Sequence, residues 1–508
     1  MKENKVLIVG AGINGLVAAN YLQRQGCQVT IVDQANRPGG ACIAEEMSYN
    51  NVSHKYALGA SVLGLMQHFI FMETGLSKQL EYFVPTHPKF IFFPDDCEPT
   101  FIHRDPKALD QELSKQWGES GAVEAFRNDE AKVIEFLQQG YRNALPPTLG
   151  AARNALGETL TKLWVNGDAR TLLDHYFTSE KAKLYMAMTV SESGPVSLDD
   201  PYSAFTLPVM DSGSIFGGYY GHVKIGNWQV TEKLSEINKT LGVKSHLSSK
   251  VLEVDTQKNK AIIENDTGVS YLNYDYLVLG TDPLTAHRLI GDETLTQSAK
   301  KKKYLGSSGK LNMMFKKPIK WKHSTDLSDS DAAFRFIFAV DTVDDFEAAT
   351  LKVVDSNIEY EPGYMQIYCE GGAQRMMGRQ EPFDRLAVFF KNFALSKKGH
   401  DLPDVEESAK QKVLEYISNP EDCIWTKLLT PRDLQQLFHF PGGNLDHTMM
   451  TGGQTYFDRN FSSDPENHFY RFADKQNIYL CGAGTYPCGS VAGTPGYMCS
   501  QELIREIG

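Results

Sequence analysis

Nowhere does this chain run to about twenty consecutive apolar residues, which excludes a membrane-crossing helix. No apolar stretch precedes the first strand pattern either. Met1-Lys2-Glu3-Asn4 leads straight into it, so no targeting signal is read and the cytoplasm is the expected compartment. Cysteine is sparse and scattered, eight in all at 27, 42, 97, 369, 423, 481, 488 and 499. With no Cys-x-x-Cys and no Cys/His zinc spacing among them, they read as reduced or buried thiols, and no structural metal is expected. Positive charge falls short as well: 51 Lys and Arg against 63 Asp and Glu leave a formal net charge of -12. That balance argues against nucleic acid or an anionic membrane as a general partner. No Ser/His/Asp order and no paired-carboxylate motif points to hydrolysis. What remains is a chain of 508 residues, 42% hydrophobic and 22% charged, long enough for a core divided between at least two domains.

The most informative stretch is Lys5 to Asp33, which reads as a nucleotide-binding βαβ unit. Val6 to Val9 is a short unbroken apolar run, as expected of a strand buried on both faces. It breaks into Gly10-Ala11-Gly12-Ile13-Asn14-Gly15 before a helical pattern. In such a turn Gly10 permits the tight exit from the strand and Gly12 lets the backbone approach a pyrophosphate. Gly15 lets the helix sit close to the sheet, and the phosphates face free helix N–H groups. The helix ends at Gly26, a second strand runs from Gln28 to Val32, and Asp33 closes it. A carboxylate there accepts from ribose hydroxyls and disfavours a 2′-phosphate, so the adenosine belongs to FAD or NAD.

The continuation Asp33-x₃-Arg37-Pro38-Gly39-Gly40 resembles the second glycine motif of FAD proteins in the amine oxidase and phytoene desaturase superfamily. The resemblance implies FAD, with the Gly pair against the phosphates and ribityl chain and Arg37 beside them. On the same grounds Ile13, Asn14, Gln34 and Ala41 join Gly10, Gly12, Gly15 and Asp33 as cofactor residues. The C-terminus carries a second match: Asn477 to Thr485 is a strand running into a glycine turn, and Gly489 to Gly496 opens a final helix. This resembles the superfamily's last FAD motif and adds Gly484, Val491 and Thr494. A helix N-terminus at the flavin's N1/O2 edge stabilises the anionic reduced ring. Where close relatives have Thr-His-Pro-Gly-Gly-Gly-Val, this chain has Thr485-Tyr486-Pro487-Cys488-Gly489-Ser490-Val491, and Cys488 is read as an inert thiol beside the cofactor.

Between these motifs the resemblance is looser. Asn51 to Phe71 matches a segment that runs under the flavin, where His54 reads as a structural histidine. Lys89 to Phe93 is strand-like, and Asp105 to Trp117, Ala122 to Tyr141 and Asp168 to Met188 have helical periodicity. Tyr220 to Trp228 aligns with a Gly-Gly-Met-Gly segment of which only Gly226 survives, and Trp228 is a candidate pocket wall. A helix from Thr231 to Leu241 follows. Val251 to Val254, Ala261 to Ile263 and Tyr276 to Leu279 read as a β-meander, in which the resemblance puts Val251 against adenine. Gly309 to Phe315 resembles the lysine strand of polyamine and monoamine oxidases. That likeness implies that Lys310 holds a water at flavin N5; the plainer reading is a lysine at a strand edge. Strand alternation sends Lys310, Asn312 and Met314 to one face and Leu311 and Met313 to the other. Phe383 to Phe393 is a strand candidate and Asp404 to Ile417 a helix. His447 follows a glycine-rich turn, and with Lys310 and Tyr486 it completes the candidate catalytic residues.

The expected architecture is α/β: a Rossmann-like FAD-binding domain of the glutathione-reductase type, from residues 1–80, 217–290 and 470–508, with an inserted α+β substrate domain from 81–216 and 291–469. By resemblance the reaction removes a hydride from a C–N or C–C bond of a small organic substrate, with oxygen, a quinone or another acceptor taking the electrons. One nucleotide fingerprint, without a second, argues against NAD(P)H as an efficient reductant. A carotenoid-type flavin isomerase, a GDP-dissociation-inhibitor-like binding module and a membrane-acting carotenoid desaturase remain alternatives.

Overall fold

The computed structural model describes residues 4–87, 89–94, 96–323, 325, 327–354, 363–393 and 402–508. Met1 to Glu3, read above as leading into the first strand, lie outside the described residues. Five strands pair in parallel in the order Ile478–Leu480, Tyr276–Leu279, Lys5–Val9, Gln28–Val32 and Lys244–His246, all but the last of them mainly apolar. The strands come from the beginning, middle and end of the chain. Most side chains of the three central strands and of Ile478–Leu480 are buried on both faces, as parallel sheets flanked by helices require, while the edge strand Lys244–His246 is largely exposed. The first helix, Ile13–Arg24, and the last, Thr494–Ile507, pack together beside this sheet. Tyr21 meets Tyr497 edge to face at 4.9 Å between them. Among the described residues no helix is long and apolar enough to cross a membrane.

A second, seven-stranded mixed sheet runs Cys423–Leu429, Ser308–Phe315, Asp384–Lys391, Tyr364–Tyr368, Phe334–Phe338, Lys89–Phe92 and Thr100–Phe101. Alternation splits its two faces cleanly. Phe90, Phe92, Leu311, Met313, Ile337, Ile367 and Val388 share one apolar cluster on one side. Lys89, Phe334, Phe336, Gln366, Tyr368, Phe389 and Lys310 stand on the other side and line a cavity. The register aligns four of them across the sheet, Phe336 with Gln366, Gln366 with Phe389, and Phe389 with Lys310.

Several elements differ from the sequence reading. Tyr276–Leu279 belongs to the parallel sheet, and the meander's third strand is Gly268–Asn273. The expected helix from Asp168 to Met188 is two, Ala169–Tyr176 and Glu180–Ala187. The break has a local cause. Glu119 accepts from Thr178 N–H at 3.0 Å and from Ser179 N–H at 2.9 Å, capturing donors that a continuous helix would use itself. The strand candidate near Phe383 spans Asp384–Lys391, and the helix after it spans Leu402–Leu414.

Candidate active site

One cavity of about 1150 Å³ runs from the glycine turn to the second sheet. Ordinary small-molecule sites hold roughly 300–1,000 Å³, so this one has room for a dinucleotide and more. Its outer end is main chain. Gly12 caps the first helix in extended conformation with no side-chain cap, so the first-turn N–H groups face the cavity free of intrahelical partners. A Cβ added at Gly12 meets nothing within 4 Å, which leaves that space for a ligand's phosphates. Gly15 is different: its Cβ would stand 2.1 Å from the Gly10 carbonyl oxygen, so it serves helix packing and is not part of the lining. Asp33 accepts from Ala11 N–H at 2.6 Å and Ala35 N–H at 2.8 Å, which fixes the carboxylate while leaving lone pairs for a ribose. The buried Asn14 Oδ1 has no partner within the protein. Together, open space at Gly12, free N–H groups, an oriented acid and an orphaned amide oxygen fit a flavin dinucleotide.

Of the other expected cofactor residues, Gly10, Ile13, Gln34, Gly39, Gly40, Ala41, Val251 and Val491 line the same cavity. Arg37 does not. It is exposed and lies 3.8 Å from Glu45. Gly484 and Thr494 lie behind the wall, Gly484 against Pro283 and His447, and Thr494 buried at the start of the last helix. That helix also lacks a side-chain cap. Ala483 and Gly489 to Val491 bring its approach to the cavity.

The three catalytic candidates separate. Lys310 lies on an inner strand between Asp384–Lys391 and Cys423–Leu429, so the strand-edge reading is corrected. It is fully buried, and its ammonium donates to the carbonyls of Ala57 at 2.6 Å, Leu58 at 3.2 Å and Gly59 at 2.5 Å. An ammonium has three protons, and all three are committed, which leaves none for a water at N5 in this arrangement. Burial, opposed by Glu370, brings its pKa down to about 7. Lys310 thus ties the second sheet to the chain entering Gly59 to Val62, which lines the cavity.

His447 lines the cavity with a left-handed backbone, φ 62°, and a buried, unpartnered Nδ1. Burial, against the pull of Asp282, lowers it to about 4, so it is neutral at pH 7. Its turn is stapled in place from below. Arg459 donates to the carbonyls of Asp446 at 2.8 Å and Ala483 at 2.9 Å, and Asp446 accepts from Gly489 N–H at 2.7 Å. Tyr486 stands outside the lining. It is buried among Tyr141, Tyr456 and Phe469, because its carbonyl is held by the Tyr470 hydroxyl at 2.6 Å and its N–H by Arg459. Cys488 is also outside, buried with its thiol pKa pushed up by burial, as an inert group should be. Trp228 is no pocket wall either: it packs with Ala44 and Ala57, and Arg385 lies over its ring at 5.3 Å. His54 lies 3.5 Å from Glu381, away from the cavity.

The sequence reading missed the cavity's inner end. Glu192 takes Lys391 at 2.6 Å, the Tyr364 hydroxyl at 3.2 Å and the Gln366 amide; Lys391 also reaches Ser308 at 3.1 Å. The Tyr368 hydroxyl donates to Gln366 Oε1 at 2.6 Å. Phe334, Phe336 and Phe389 supply apolar surface between these polar groups.

Comparison with known proteins agrees with this geometry. Residues 13–370 match the family described as flavin containing amine oxidoreductase. A rat protein named pyridine nucleotide-disulfide oxidoreductase domain-containing protein 2 is 24% identical, over 99% of this chain and 94% of its own. A 4,4'-diapophytoene desaturase of Staphylococcus aureus is 23% identical, over 99% of both. Among solved structures, a putrescine oxidase with putrescine bound superposes with a TM-score of 0.58 at 12% identity, covering 100% of this chain and 99% of that one. Cyclohexylamine oxidase from Brevibacterium oxydans gives 0.58 at 15%, with the same coverage.

Proposed function

This chain belongs to the flavin-containing amine oxidoreductases, and we propose that it is an FAD-dependent oxidoreductase that removes a hydride from a C–N or C–C bond of a small, polar organic molecule. The observation that carries this reading is the single cavity joining the dinucleotide cradle to the polar and aromatic face of the second sheet. FAD, when bound, would supply the two-electron acceptor for the hydride, with oxygen, a quinone or another compound as the onward acceptor. Gly10 to Asn14, Gly39 to Ala41 and Asp33 would hold its dinucleotide. Ala483 and Gly489 to Val491, the approach to the last helix, would form the wall beside the ring. Lys310 sets the wall at Gly59, and neutral His447 faces the reacting region.

The inner end lines Glu192, Lys391, Gln366 and Tyr368 beside aromatic rings, so a substrate with a polar group finds partners there. The test is anaerobic mixing of the yellow protein with a panel of amines, amino acids, other carboxylic acids and polyenes, following loss of oxidised-flavin absorbance. Bleaching by a polar member is expected. Turnover without bleaching would instead support an isomerase, and a colourless purified protein a binding module without flavin chemistry.

A further inference from the structure

The cations at the inner end differ in what they hold. Lys391 is paired with Glu192 at 2.6 Å, and Lys310 is committed to three carbonyls. Arg127 takes both Glu130 at 2.5 Å and Asp211 at 3.7 Å. Lys89, like Lys310, has no carboxylate of a described residue within 4.0 Å, and Asp211 attracts it only from farther away. Its ammonium lies 5.7 Å from the ring centres of both Tyr185 and Phe336, with the Tyr185 side chain as its hydrogen-bond partner. It also lines the cavity. The acids nearby show the converse: Glu192 and Asp211 already have cationic partners, so neither is left to meet an incoming ammonium.

We propose that Lys89 is the anchor for an anionic group, a carboxylate, on the substrate. The proposal rests on the reading of this end of the cavity as the substrate site. Lys89 and Lys310 are separated by four strand spacings, roughly 19 Å. Phe336, Gln366 and Phe389 lie between them. A carboxylate at Lys89 therefore places an apolar or aromatic body over Phe336 and Phe389, with its far end directed toward Lys310 and the flavin. Such a charge-assisted bond selects acids over their amides and over amines of the same shape, because the cation is already desolvated between rings.

The test uses the flavin-loaded protein and three matched probes, 4-phenylbutyrate, 4-phenylbutanamide and 4-phenylbutylamine, with binding read by calorimetry and by the flavin difference spectrum. Wild type should bind the carboxylate about tenfold or more tightly than the amide, equivalent to ~1.4 kcal/mol, and the amine most weakly. Lys89→Gln should reduce the carboxylate to the amide's level, while Lys89→Arg keeps most of the preference. If Lys89→Gln fails to retain flavin, Lys89→Met, which preserves the stem between the rings, replaces it. A wild type that binds acid and amide equally overturns the proposal without any variant, as does an unchanged preference in Lys89→Gln or Lys89→Met. Because binding is read without turnover, the two readings fail separately. Lys89-dependent acid binding with no bleaching compound leaves the anion site standing and removes the redox reading, whereas bleaching by an amine with no acid preference does the reverse.

Discussion

At the outer end of the cavity, the groups that meet a ligand are main chain: first-turn N–H groups, the space above Gly12 and a single acid oriented by two backbone donors. At the inner end they are side chains on one face of a seven-stranded sheet, and most are already bonded to one another. A backbone cradle recognises what every flavin dinucleotide shares, phosphate charge and ribose hydroxyls. A side-chain floor can be changed residue by residue without disturbing the cradle, and on the proposed reading substrate choice would reside there. Substitutions at the outer end should therefore affect flavin retention and folding, and those at the inner end should affect selectivity, unless the side chain also holds the wall.

The largest contrast lies within the outer end itself. Gly15→Ala puts a Cβ 2.1 Å from the Gly10 carbonyl oxygen, and backbone on both sides leaves no flexible group to yield. Loss of soluble, yellow protein is expected, a destabilisation of at least about 3 kcal/mol. Gly12→Ala meets nothing within 4 Å and has an ordinary φ of -71°. It should fold with an unchanged melting temperature in the flavin-free form yet bind FAD weakly. Equal thermal stability of the two flavin-free variants would show that the two glycines do not have separate tasks.

That separation also explains how much of this was legible in sequence. Gly10, Gly12, Gly15 and Asp33 stand at fixed local spacings because one turn of backbone and one strand must meet one ligand, and spacing survives in a bare sequence. Lys89, Gln366 and Lys391 come together only through strand order and register, and Glu192 reaches them from the separate helical turn Met188–Ser193, which no local pattern records. Alternation even misleads in Phe334-Arg335-Phe336. The aromatic rings line the cavity, while Arg335 turns into the core face, stacked on Trp321 at 3.9 Å with its guanidinium on the Ser330 and Ala333 carbonyls. Lys310 was legible as a lysine on the cavity face of its strand, but its acceptors, three carbonyls on a distant segment, were not.

Lys310 is where the two ends meet, and it can break the contrast. Lys310→Met keeps the stem and removes the protons from three main-chain acceptors, two of them at 2.6 Å or less. Loss of these charge-assisted bonds, offset by relief of a buried charge, should cost about 3 kcal/mol and loosen FAD, read as a lower melting temperature and faster flavin loss on dilution. If stability and FAD occupancy stay at wild-type values while flavin reduction slows by about tenfold, the lysine acts on substrate and not on the wall.

The smallest effect concerns His447, whose backbone strain and neutral ring sit between cradle and floor. Its pKa is lowered to about 4 from 6.5, chiefly by burial. The unfolded chain therefore takes up this proton as pH falls through 6.5, whereas the folded protein does so only near 4. Stability associated with the group is complete above pH 6.5 and is lost as pH falls through that window. At pH 5 the penalty is about 2 kcal/mol relative to neutral pH. Buried groups such as Glu502, whose pKa is raised by burial to about 7, shift stability the opposite way over part of the same range, so the wild-type curve alone is uninformative. The difference between proteins isolates the histidine. His447→Asn, which tolerates the left-handed backbone, should lose about 2 kcal/mol less than wild type between pH 7 and pH 5 in urea unfolding. Parallel curves for the two proteins would mean that the ring is protonated as readily in the folded protein as in the unfolded chain, and His447 would then carry positive charge into the cavity on the acid side.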